Sequence, residues 1–578
     1  MKVDTQFSIY KIDQNKILKS KDINSVKKAN EVRERLLAEI KELISKKPCS
    51  TQRDICMDGF YGVVYQTINI PDWNGMIEAL ITGTDRSLSF ELENINVSYI
   101  LLYQYNDSIY AMTAGYGNHI IKDYIERNWG LYLMPKILGD DEGVIREIKE
   151  NNLYGNELSY SKANRYTTNI IHEKKMRAVI KELSLEVDEN VAEMFGIDKK
   201  SKGKKTCIML KDSLNLRKSI ELSKLKEVLP AIYEIEKKED AYAIGYFVNA
   251  RREGIKNSSL IDMLIGCILN NNIGNFVMIG DDYQRYYTCS DEYIITDEQG
   301  VECYTSDTPI TIAEIVDYIS EDKKLSKTYV DKVLKKWKIQ TKDNSGNIVM
   351  NQIPIFKALE GFVEYGEEKI PCFLMEGEWY CMISQYTSIL DDEFQSRLNQ
   401  NIKCVNEIKK KYNLKSDGKT ENDYNDSFFG ADNVIVAHKS LIDKFEIADL
   451  IFWDDKSLYL MCNKSKFDAS GSRDLTNQIW ASANYLQVKL NSRDRKAFLS
   501  DYFLQIQNRY SSKNRNLNIE EKEFVELFDR QIVFVAGYMS GYSLGSRSYY
   551  AKYLDIDNSK KIADMGYQYL TMNIETDI

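Results

Sequence analysis

Phe445-Glu446-Ile447-Ala448-Asp449-Leu450-Ile451-Phe452-Trp453, then Asp454-Asp455-Lys456, then Ser457-Leu458-Tyr459-Leu460-Met461-Cys462-Asn463-Lys464, decides how the C-terminal part of the chain is read. Two apolar runs flank a short charged break, which is the pattern of a β-hairpin. Asp449 interrupts the first run. Cys462 and Lys464 stand two apart on the second, so they share one face of a strand. Pairing across the turn brings Asp449 toward that face. Glu446 precedes Asp449 by an odd spacing, so a regular strand sends the two carboxylates to opposite faces, and only a bulge or bend unites them. Beyond a polar loop, Leu475 to Leu486 has helical spacing and carries Gln478.

Working outward, Lys415 to Asp423 holds no apolar residue and reads as a loop from which a C-terminal domain starts. Lys199 to Lys205 is a second such run and marks another boundary. Between them, Lys224 to Glu236 reads as a helix with Pro230 as a kink, Tyr242 to Val248 as a buried strand, and Phe362 to Met382 as a small antiparallel unit. Near the start, Phe7 to Ile12 alternates as a strand does. Asp22 to Lys46 carries helical apolar spacing, and Gly59 to Ile70 is a strand ended by Pro71. Val97 to Gln104 and Ser108 to Thr113 form a hairpin through Asn106-Asp107. The expectation is a multi-domain α+β or α/β chain with an N-terminal domain over 1–200, a middle domain over 206–330, a small domain over 331–425 and a C-terminal domain over 426–578.

Composition removes several function classes. At 578 residues the chain exceeds what one core supports. No apolar run is long enough for a bilayer and the opening residues form no signal core, so the expectation is a cytoplasmic protein without membrane contact. Ten cysteines lack a CxxC pair, which indicates neither a disulfide framework nor a thiolate zinc site. The three histidines, His119, His172 and His438, are far apart, which argues against a multi-histidine metal centre. A net charge of −10 does not advertise nucleic acid, so any such contact must be local. One local basic stretch exists: Lys489, Arg493, Arg495, Lys496, Arg509, Lys513 and Arg515, interleaved with Tyr502, Phe503 and Tyr510. That mixture suits backbone binding with base stacking, and equally a solvated helix face. Gly115 and Gly117 before a helix can present amides to an anion, but they match neither a P-loop nor GxGxxG, and a tight turn explains them as well.

The spacing of Asp449, Cys462, Lys464 and Gln478 resembles the catalytic hairpin of the PD-(D/E)xK nuclease superfamily. The resemblance implies a restriction-endonuclease-like α/β domain in which Asp449 and a second acid hold Mg²⁺ or Mn²⁺. Lys464 would orient and activate the attacking water, and Gln478 would contact the metal's water or the phosphate. Cys462 occupies the position of the second acid, and sulfur is a poor ligand for Mg²⁺, so Glu446 becomes the candidate second carboxylate. The same layout also fits a buried hairpin with one satisfied Asp and a snorkelling Lys.

Most of the chain resembles a sporadically distributed family of uncharacterised bacterial proteins, found in mobile or defence-associated gene neighbourhoods. The resemblance rests on Phe7-Ser8-Ile9-Tyr10, Tyr110 to His119, Trp129-Gly130-Leu131, Lys211-Asp212-Ser213-Leu214, Gly377-Glu378-Trp379-Tyr380, Tyr424-Asn425, Glu446 to Leu450, Cys462-Asn463-Lys464 and Ser470 to Gln478. The family pattern reads like Glu-x-Cys-Asp-Leu, then His-x-Lys, then a serine-rich loop and a helix with Gln. Glu446, Asp449, Lys464 and Gln478 match, while Ala448 and Cys462 replace Cys and His. The expected function is a defence-associated protein that binds nucleic acid, DNA before RNA, through Arg473, Lys489, Arg493, Arg495 and Lys496, and cleaves it. The alternatives are a non-enzymatic sensor or scaffold with a degenerate nuclease fold, and an effector dependent on a phage or neighbouring defence protein. A homo-oligomer is compatible with each.

Overall fold

The computed structural model describes residues 4–5, 7–18, 26–47, 50–69, 94–138, 144–152, 159–169, 178–187, 189–197, 206–216, 220–239, 245–280, 283–322, 325–416, 419–443 and 445–575. The architecture is mixed α+β with several sheets, and it divides into two compact units, Met1–Tyr246 and Phe247–Ile578. No helix among the described residues is long and apolar enough to cross a membrane.

The first unit is built on a ten-stranded sheet whose described neighbours are all antiparallel. The strand at Ser8–Lys11 lies inside it, between Ser108–Ala114 and Ser213–Asn215. The long helix runs over Val26–Ser45 and buries Val32, Leu36, Ile40 and Ile44. A repeat of four keeps these residues on one stripe, which is why the segment folds against the sheet. The hairpin forms from Asn94–Tyr105 and Ser108–Ala114, with Asn106 at φ 50°, a conformation Asn tolerates better than most residues. Thr206–Leu210 pairs with Ala178–Val187, so a single sheet runs across the boundary expected at 200–206. Gly115 has φ 60°, and a Cβ on Gly117 would strike the Tyr99 carbonyl. These glycines therefore serve a close strand-to-helix turn, and the exposed His119 lies against the Tyr116 ring. Residues 22–25, Ile70, Pro71, His172 and the run Lys199 to Lys205 lie outside the described residues.

The second unit holds a five-stranded antiparallel sheet, a four-stranded antiparallel sheet and a five-stranded mixed sheet. The strands expected within Phe362 to Met382 are three neighbours of the first, Leu359–Tyr365, Ile370–Met375 and Glu378–Met382. Cys372 and Cys381 face each other across two of them and form a disulfide, one bridge where the cysteine spacing indicated none. The helices Lys327–Lys336 and Glu421–Asp426 run through the boundaries expected at 330 and 425.

The mixed sheet carries the C-terminal hairpin. Its order is Val434–Val436, Leu450–Trp453, Ser457–Lys464, Gln531–Tyr538, Gln568–Asn573. The first three strands are antiparallel, and the last two run parallel to the third. Leu458 to Asn463 and Ile532 to Tyr538 are buried without interruption. Strands covered on both faces read as continuous apolar runs, which explains why strict alternation is missing here. Between the two parallel strands the chain passes through the helices Ala469–Leu490, Arg495–Ser512 and Glu521–Leu527. Upstream, the helix Ser384–Tyr412 packs the Tyr412 ring on Phe452 and Tyr459, and the Tyr412 hydroxyl donates to the Trp453 carbonyl at 2.6 Å.

Candidate metal centre

Strand pairing assembles the site. Val436 sits opposite Leu450, and the amides of Ala437 and His438 both donate to the Asp449 carbonyl, at 2.8 and 2.9 Å. The Asp449 amide donates to Met461 at 2.8 Å. Asp449 therefore lies between the loop carrying His438 and the end of the strand carrying Cys462 and Lys464. The strand does not continue upstream of Leu450. Phe445–Glu446 belongs instead to a two-stranded ribbon with Leu441–Ile442, and Ile447 to Asp449 bends between the two. That bend brings Glu446 to the same side as Asp449, which a regular strand forbids.

The three side chains converge. His438 Nδ1 lies 2.8 Å from Asp449 Oδ1 and 3.2 Å from Glu446 Oε1. One ligand atom from each of His438, Glu446 and Asp449 falls within 4.8 Å of the others. Each group is held from behind. Asp449 Oδ2 accepts from the Asn463 amide at 2.7 Å, and Glu446 Oε1 from the Lys439 amide at 2.5 Å. His438 Nε2 lies 2.8 Å from Asn422 Oδ1. The Glu446 carbonyl accepts from the Ser482 hydroxyl at 2.9 Å, fastening the loop to the Ala469–Leu490 helix. Gln478 stands one helical turn before Ser482 on that face and is half-buried.

The electrostatics follow from this packing. Hydrogen bonds to Asp449 and Glu446 push the His438 pKa up to about 9, against the opposing effect of burial. Burial raises the Glu446 carboxyl, but the bonds from His438 and the Lys439 amide outweigh it, and the net pKa falls below the usual value. The Cys462 thiol is fully buried, points to the Ile447 carbonyl, and is pushed well up by burial and then by Asp449 and Glu446. It is a neutral thiol and a poor stand-in for a carboxylate. Burial works against the charge on Lys464, but pairing with Glu421 at 3.2 Å prevails and its pKa rises, so it is a fixed cation rather than a base.

Sequence reasoning missed His438, because it looked for histidines near one another rather than one histidine opposite an Asp. The pairing of the Val434–Val436 strand with Leu450–Phe452 is the signal that could have found it. It read Tyr502 as a base-stacking residue, whereas Tyr502 is fully buried. Burial drives the Tyr502 pKa far up, with Cys462, Glu446 and Asp449 adding to the effect. Among the described residues the Tyr502 hydroxyl has no hydrogen-bond partner.

The basic residues separate into two sets. Arg473 donates to the Gly274 carbonyl and Asn275 and pairs with Asp474. Lys489 pairs with Asp443, Arg495 with Asp529, and Arg509 and Lys513 with Asp426. Arg493 and Lys496 are exposed. Tyr502, Phe503 and Tyr510 are core residues, so the stacking expected of them is closed off.

Comparison with curated proteins and with solved structures found no significant match. A family model described as "Family of unknown function (DUF6119)" matches residues 7–536, nearly the whole chain, and the protein therefore belongs to that family.

Proposed function

We propose that the C-terminal part of the chain is a metal-dependent nuclease domain of PD-(D/E)xK type, which binds nucleic acid, DNA in preference to RNA, and hydrolyses its backbone in a defence role. The convergence of Glu446 and Asp449 beside the strand that ends in Lys464 carries this reading. The donor set suits a divalent cation, because two carboxylates and an imidazole face one another in place. When bound, Mg²⁺ or Mn²⁺ would stabilise charge on the phosphate and activate a water. Asp449 and Glu446 would hold it, each pre-aimed by a backbone amide. Lys464, kept protonated, would orient the water or a phosphate oxygen by charge. Gln478 would reach the same face from its helix, and Arg493 and Lys496 are exposed to meet the sugar-phosphate backbone.

The test is incubation of the full chain with single- and double-stranded DNA and RNA in Mg²⁺ or Mn²⁺. Cleavage is expected, and Lys464→Ala should lower it by about 100-fold. Wild-type protein that leaves every substrate intact with each divalent ion sinks the catalytic reading. One observation favours a second reading, a domain that binds without cutting: the buried neutral Cys462 stands where the second acid belongs. A gel shift that persists in chelator, with no cleavage, selects it.

A further inference from the structure

The His438 ring is set in one orientation. Asn422 Oδ1 can only accept, so the Nε2 facing it at 2.8 Å carries the ring hydrogen. In the neutral ring, Nδ1 is then a bare lone pair, and it points at Asp449 Oδ1 and Glu446 Oε1. Three donor atoms from three anchored side chains face a common point, where the proton on Nδ1 or a cation that displaces it supplies the positive charge. The buried Tyr502 hydroxyl feels the charges of Glu446 and Asp449 and has no hydrogen-bond partner among the described residues. The ring's far nitrogen bonded to an acceptor amide, and both carboxylates bonded to backbone amides, are also the outer supports that a metal ligand set needs.

We propose that His438, Glu446 and Asp449 form a three-donor centre for one divalent first-row transition ion, with His438 taking the place of the acid missing at Cys462, so that the centre favours such ions over Mg²⁺. The inference deepens the nuclease reading by naming the ion class, and it rests on the metal site of that reading. Imidazole nitrogen suits Mn²⁺, Co²⁺ and Zn²⁺, whereas Mg²⁺ demands oxygen and gives up its water reluctantly. Two carboxylates neutralise one divalent ion, and the uncharged Cys462 adds no charge for a second. The nearby cation, Lys464, is kept on Glu421 at 3.2 Å.

The full-length chain, freed of metal, is titrated with Mn²⁺, Co²⁺ and Mg²⁺ by calorimetry in the absence of nucleic acid. One Mn²⁺ or Co²⁺ per chain is expected, at least about tenfold tighter than Mg²⁺. The spin-echo spectrum of bound Mn²⁺ should carry nitrogen modulation that His438→Ala abolishes, together with the preference over Mg²⁺. Asn422→Ala removes only the orienting contact and is expected to weaken Co²⁺ by about tenfold; it decides the matter if His438→Ala fails to fold. Equal affinity for Mg²⁺, absence of nitrogen modulation, or Asn422→Ala binding Co²⁺ as wild type each overturns the proposal. Cleavage in Mg²⁺ that survives His438→Ala would overturn this inference and leave the nuclease reading standing. The predicted ion preference without cleavage would do the reverse.

Discussion

His438 is the residue whose chemistry most constrains the site. Its ordinary pKa is 6.5, and in the folded chain it is about 9. The sign of the linkage follows from that difference. A folded-state pKa above the unfolded one contributes stability that is fully present below about pH 6.5 and is lost as pH rises through about 9. A divalent ion at the proposed centre would compete with the same proton. Metal affinity is therefore expected to climb with pH up to about 9, with proton release on binding. Calorimetry of Mn²⁺ binding in two buffers of different ionisation enthalpy measures that release; none between pH 6.5 and 8 would mean the imidazole does not take part. Cys462 contributes differently. Its buried thiol stays neutral across this range, so it adds packing and no charge.

At the scale of elements, the Ala469–Leu490 helix positions both the roof and the edge of the site. Asp468 caps it, its Oδ1 accepting from the Gly471 amide at 2.8 Å. Gly471 has no room for a side chain, since a Cβ would meet the Lys466 carbonyl. Asp468→Ala is expected to cost about 1 kcal/mol, measured as a fall in the denaturant midpoint at unchanged slope. The hairpin and this helix were legible in the sequence because their apolar periodicity is local. The bend from Glu446 to Asp449 was legible only as a requirement, since no turn residue announces it. The Ser384–Tyr412 helix went unread although Leu390, Phe394, Leu398 and Ile402 keep a spacing of four and Val405 follows on the same face. The parallel strand Gln531–Tyr538 and its distance in sequence from the hairpin are tertiary facts that periodicity does not carry.

Across the whole molecule, the chain divides into two compact units, and its length alone suggests about three or four domains. A polar run alone does not tell a loop at a sheet edge from a linker between domains, because the two have the same composition. Thr206–Leu210 completes the sheet begun before the lysine-rich run, so that run interrupts a unit rather than ending it. The units should unfold as two calorimetric transitions, and a saturating transition ion should raise only one of them, by RT ln(1 + [L]/Kd), about 2.7 kcal/mol at a hundredfold excess over Kd. A shift of both transitions together would contradict the division of the chain.

The bend that unites Glu446 and Asp449 also determines when the centre can form. All three donors come from residues 438–449, a stretch closed on itself by the Leu441–Ile442 and Phe445–Glu446 ribbon. Short loops close quickly and at little entropic cost, whereas the Ser457–Lys464 and Gln531–Tyr538 strands must wait for three intervening helices. The Leu441–Ile442 and Phe445–Glu446 ribbon is therefore expected to close before the long-range parallel pairing, while the Asp449 carboxylate gains its Asn463 support only when the Ser457–Lys464 strand is added.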